Sequence, residues 1–88
     1  MPYRILVRRS ALKELEALPG KIRVRIASEI EALATDPRPA GAIKLTGADL
    51  YRIRAGEIRV VYSIEDDRLI VIIVRVGHRG DVYRNLLG

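Results

Sequence analysis

Polar and apolar residues alternate from Tyr3 to Arg8: Tyr3, Ile5 and Val7 interleave with Arg4, Leu6 and Arg8. A period of two predicts a first strand. The period then lengthens. Ser10 reads as the N-cap of a helix over ALKELEAL, whose apolar stripe is Ala11, Leu12, Leu15 and Leu18. Pro19-Gly20 stops it and opens a turn. From Lys21 to Thr35, Ile22, Ile26, Ile30 and Leu33 recur at helical spacing with Val24 and Ala27 beside them, which predicts a second helix. DPRPAGA, residues 36–42, reads as a loop, because its two prolines and glycine oppose a helix. Lys44–Gly47 adds a few extended residues. Three strands are then expected over Leu50–Ala55, Ile58–Glu65 and Leu69–Val76, joined by Gly56-Glu57 and Asp66-Asp67-Arg68. Connections this short favour antiparallel hairpins, since a parallel crossover needs about a dozen residues or more. The predicted order is β-α-α-β-β-β. The fold class is α+β: one small domain over residues 1–88, with a two-helix hairpin packed on one face of a curved, mainly antiparallel sheet.

The alternation also sorts side chains between the two faces. Tyr51/Ile53, Ile58/Val60/Tyr62/Ile64 and Ile70/Ile72/Val74/Val76 are expected to form the platform under the helices. The opposite face then collects Arg52, Arg54, Arg59 and Arg75, and an extended chain carries Gly77 and Arg79 to the same side. Five arginines from successive strands would share a surface with few acids, because Glu57, Glu65, Asp66, Asp67 and Asp81 fall in turns or at strand ends.

Composition sharpens this picture. The net charge is +5, and thirteen of the sixteen basic residues are arginine. The guanidinium fork matches phosphate bidentately and stacks on bases, so a polyanion is the expected partner. The chain has no cysteine and one histidine, so no metal site or cofactor is expected. Its glycines are scattered, with no phosphate-binding loop among them. The apolar run Leu69–Val74 falls far short of the roughly 20 residues that span a bilayer, and the apolar run at the start is too short for a signal peptide. A cytoplasmic protein with no membrane association is expected. Such a residue set suits RNA binding alone and metal-free cleavage of RNA equally. The substrate brings its own nucleophile, the 2′-hydroxyl; the protein must align it, stabilise phosphoryl charge and protonate the leaving 5′-oxygen.

Three stretches carry a resemblance: ALKELEALP, the block KLTG…LYRIRAGEIRVVY and the closing VGHRGDVYR. In this order they resemble the RelE toxins of the RelE/ParE toxin–antitoxin superfamily over almost the whole chain. The resemblance implies a toxin of a type II toxin–antitoxin system. It would enter the A site of the 70S ribosome and cut mRNA there by metal-free 2′-hydroxyl attack, and a cognate antitoxin would neutralise it. A gyrase inhibitor like ParE and an inactive antitoxin-binding member are the alternatives on the same fold. By position, Arg59 resembles the arginine that stabilises the transition state. Arg79 resembles the one serving the leaving group or phosphate, and Tyr83 the tyrosine that orients the substrate. Arg52 and Arg54 stand where well-known members carry lysine. Arginine effectively cannot lose its proton, so Arg54 at a base position implies a charge-only role or another base. His78 is the reserve, although its place in the alternation points it towards the helices. Arg52, Arg75 and His78 are expected to contact substrate. After Tyr83 only RNLLG follows, in place of a long terminal helix.

Overall fold

A computed structural model describes residues 2–83; the closing segment, residues 84–88, lies outside the described residues. The elements run β1 (Arg4–Val7), α1 (Arg9–Glu16), α2 (Gly20–Ala32), β2 (Ile43–Lys44), β3 (Tyr51–Ala55), β4 (Ile58–Glu65) and β5 (Ile70–His78), followed by a 3-10 turn, Asp81–Tyr83. The sheet order is β1-β5-β4-β3-β2; β1 is parallel to β5 and every other pair is antiparallel. The expected α+β architecture is present, with the short β2 added at one edge.

Local chemistry shifts several boundaries. Ser10 is not a cap. Arg8 is still extended, with its N–H bonded to the Ile73 carbonyl at 3.0 Å, and its own carbonyl accepts the first helical bond, from the Leu12 N–H, at 2.8 Å. The last ladder bond of β1 therefore sets where α1 starts, and Arg8 occupies the cap position without a side-chain cap bond. α1 ends at Glu16, yet Leu18 still reaches the core. α2 begins at Gly20 behind Pro19, whose carbonyl accepts from the Arg23 N–H at 2.8 Å. The β3–β4 hairpin turns on two residues, and of these only Gly56 has positive φ (61°), the pattern of a type II′ turn.

Ala11, Leu18, Ile26, Ile30 and Leu33 pack onto Ile53, Ala55, Ile58, Val60, Tyr62, Val71, Ile73 and Val76. Burying a side chain such as Ile26 contributes roughly 1.5–3 kcal/mol, so the helices are held by this face and not by caps. Ile22, expected in the stripe, is 39% exposed, because the core ends one turn short of the helix start.

On β5 the expected alternation fails. Val61 pairs with Arg75 but Tyr62 pairs with Ile73, so Val74 is an extra residue in the ladder. A β-bulge of this kind exchanges the faces of everything beyond it. Val71 and Ile73, N-terminal to the bulge, join the helix-side core in place of the expected Ile70, Ile72 and Val74; Val76, C-terminal to the bulge, keeps its expected side.

Candidate active site

The face of β3 and β4 turned away from the helices is the one the alternation indicates. Arg52, Arg54, Arg59, Arg79 and Tyr83 line a cleft of about 250 Å³. Arg54 lies directly opposite Arg59 across the hairpin, a cross-strand pair of like charges that opposes folding. Among the described residues no carboxylate lines this cleft, and the side chains of Arg54 and Arg79 have no hydrogen-bond or ion-pair partner. Arg59 is only 8% exposed, and its Nη1 donates to the Gly56 carbonyl at 3.3 Å, a long bond for a buried cation. Nε of Arg52 is buried with no partner among the described residues. A buried N–H left unbonded is destabilising, which makes these arginines a poor solution for the fold alone.

Arg79 and Tyr83 reach the cleft by different means. The Arg79 N–H bonds the Glu57 carbonyl at 3.3 Å, which ties the end of β5 to the β3–β4 turn. Gly80 then reverses the chain at φ 93°, and the 3-10 turn lies back over β5 and β4. Val82 in that turn is fully buried, and a Cβ on Gly77 would stand 3.1 Å from its Cγ1. Gly77 is thus the notch into which the turn settles, and Tyr83 beside it stays 40% exposed at the cleft.

Two residues expected to contact substrate are placed elsewhere. Arg75 lies opposite Val61, but its guanidinium is engaged by Glu14 of α1: Nη2–Oε2 is 3.1 Å and Nε–Oε2 is 3.1 Å. The same Glu14 accepts the Val76 N–H at 3.0 Å, closing the stretch of β5 that β1 is too short to cover. Sequence reading missed this partner because the pair is 61 positions apart; the one cue is an acid on α1 beside the Leu15 stripe. His78 pairs with Ile58 on the helix side and lines a separate hollow of about 210 Å³ with Ile22, Arg25 and Glu57. The register C-terminal to the bulge places it there, so the reserve base is not in the cleft.

A third cluster went unforeseen. Arg38, in the loop after α2, clamps Asp66 with Nη1–Oδ1 at 3.2 Å and Nη2–Oδ2 at 2.9 Å, and its Nε donates to the Tyr51 hydroxyl at 3.2 Å. Tyr3 donates to Asp66 Oδ1 at 2.6 Å. The Arg38 hydrogen bonds, then that of Tyr3, hold the Asp66 carboxyl down at about 2. Tyr62, stacked on Tyr51 with centroids 6.0 Å apart, is pushed up to about 12 by burial and donates to the Pro37 carbonyl at 2.7 Å.

Residues 5–83 match the family model described as ParE toxin of type II toxin-antitoxin system, parDE. The chain belongs to this toxin family. It is 38% identical to a putative RelE-like toxin protein of Escherichia coli over 88 residues, covering 94% of this chain and 92% of that one. It is 33% identical to putative toxin RelE1 of Methanocaldococcus jannaschii over 89 residues, covering 97% and 99%. The fold superposes on the toxin–antitoxin complex RelBE2 of Mycobacterium tuberculosis with a TM-score of 0.80 at 28% identity, covering 90% of this chain and 100% of that one. Among the family's members the chain is a RelE-type toxin, as the three motif stretches imply.

Proposed function

We propose that this toxin is a ribosome-dependent mRNA endonuclease. The observation that carries the reading is the convergence of Arg52, Arg54, Arg59, Arg79 and Tyr83 on one cleft without a counter-ion among the described residues. In the reaction the 2′-oxygen bonds to phosphorus and the bond from phosphorus to the 5′-oxygen breaks. The 2′-hydroxyl proton passes to solvent water and the 5′-oxygen takes a proton from solvent water, so the products are a cyclic phosphate and a 5′-hydroxyl. Arg59 and Arg79 stabilise the charge on the phosphoryl oxygens. Arg52 and Arg54 hold flanking phosphates as fixed cations. Tyr83, half open to solvent, stacks on a base and orients the nucleotide; its phenol is the one lining group able both to donate and to accept a hydrogen bond. With no ordinary base in the cleft, charge and in-line alignment supply most of the rate.

The ribosomal A site supplies mRNA held single-stranded, and the cytoplasm is where this substrate is found. A cognate antitoxin partner is proposed from the complexes solved for relatives. Against a +5 toxin it should be acidic or amphipathic. The test is to induce the toxin, map mRNA 5′ ends on translating ribosomes and identify the end chemistry. New 5′-hydroxyl ends within A-site codons are expected. Intact mRNA together with blocked gyrase supercoiling in vitro would replace this reading with gyrase inhibition.

A further inference from the structure

The 3-10 turn bearing Tyr83 is too short to hold itself in place, and Val82 in its notch gives it a seat but no fixed direction. A polar brace supplies the direction. Nη2 of Arg75 donates to the Asp81 carbonyl at 3.2 Å, at the first residue of the turn, while lying 3.1 Å from Glu14 Oε2. Nε of the same guanidinium points to both Glu14 oxygens, at 3.1 and 3.4 Å. Glu14 is in turn fixed by the Val76 N–H at 3.0 Å and by its position on α1. The pair is largely covered, with side-chain exposures of 23% for Arg75 and 29% for Glu14, so solvent screens it less than a free surface pair. A rigid planar fork is needed, since one guanidinium serves a carboxylate and a carbonyl at once.

We propose that Glu14, acting through Arg75, is a positioning residue for Tyr83, and that Arg75 serves as this brace and not as a substrate contact. The role assigned to Tyr83 rests on the endonuclease reading; the brace itself does not. Glu14 pairs with the guanidinium and turns it towards the Asp81 carbonyl. Without it Arg75 loses the Glu14 carboxylate and the orientation this gives, and the turn loses the bond that aims Tyr83. A displacement of the order of 1 Å at an aligning group costs up to about a hundredfold in rate.

Two variants test this on the full chain. Glu14→Gln keeps an oxygen for the Val76 N–H but removes the charge. Arg75→Lys keeps the charge but removes the fork. In both, amide hydrogen exchange over Asp81–Tyr83 should rise about tenfold, while exchange in β4 and the melting temperature stay near wild type. On programmed ribosomes kcat should fall about tenfold with KM within about twofold. The double variant should be no worse than either single one, because the two residues act as a unit. Unchanged exchange over Asp81–Tyr83 in both variants would overturn the proposal. So would a loss of activity accompanied by global destabilisation, or additive losses in the double variant. If wild-type toxin leaves mRNA whole, the endonuclease reading fails alone, and the exchange measurement still decides whether the brace exists.

Discussion

Arg38 and Arg52 are both held against the sheet, and their surroundings are opposite. Arg38 has a bidentate carboxylate, a tyrosine hydroxyl at its Nε and the Tyr51 ring 5.1 Å from its guanidinium carbon. Arg52 has a buried Nε with no partner among the described residues and faces a cleft lined by three more arginines. The first arrangement is what folding alone favours, because each guanidinium nitrogen finds an acceptor. The second leaves donors unbonded and like charges adjacent, and so is retained at a cost to stability. The contrast separates arginines that hold the fold from arginines kept ready for an anion.

The largest effects should come from removing the groups at the end of β5. Arg79→Ala and Tyr83→Ala should each lower cleavage on programmed ribosomes by about a hundredfold or more, with an unchanged melting curve. Undiminished cleavage by both would remove the cleft from the chemistry. His78→Gln should cleave like wild type from pH 6 to 8, because the histidine is on the helix side of the sheet. Gly77→Ala should slow cleavage several-fold, since the new Cβ, 3.1 Å from Val82, shifts the turn by a few tenths of an ångström. A wild-type rate in that variant would show that the turn tolerates the shift.

The Arg38 cluster should respond in stability and not in cleavage. The Asp66 carboxyl is held at about 2, below the roughly 4 of an unfolded aspartate, so its contribution is complete above about pH 4. It is lost as pH falls from about 4 to about 2. Denaturant titrations should therefore find Asp66→Asn less stable than wild type at neutral pH, with the gap closing over that acid interval. A gap that persists at pH 2 would mean the clamp does not depend on the carboxylate charge.

The sequence disclosed the cleft on β3 and β4 because both strands keep strict alternation: Arg52, Arg54 and Arg59 share a face and Ile53, Ile58 and Val60 the other. It misassigned β5 because the bulge at Val74 leaves no trace in a run of valines and isoleucines where every residue is apolar. Arg75 was legible as a cation on the cleft side and illegible as half of an ion pair. Its partner is on α1, and pairings this far apart in sequence depend on how the helix docks. The Arg38–Asp66 clamp was hidden for the same reason, as its residues sit in two loops that meet only after folding.

A small expected effect bears most directly on the central claim. Arg54 stands opposite Arg59, is exposed, and has no partner among the described residues. Urea unfolding and ribosome-dependent cleavage should be measured on Arg54→Gln beside wild type. The account predicts a variant more stable by about 0.5 kcal/mol, the size of a relieved cross-strand repulsion, that nevertheless cleaves more slowly. A variant that is less stable, or one that cleaves at the wild-type rate, would contradict the claim that these arginines are held against the fold's interest for a phosphate substrate.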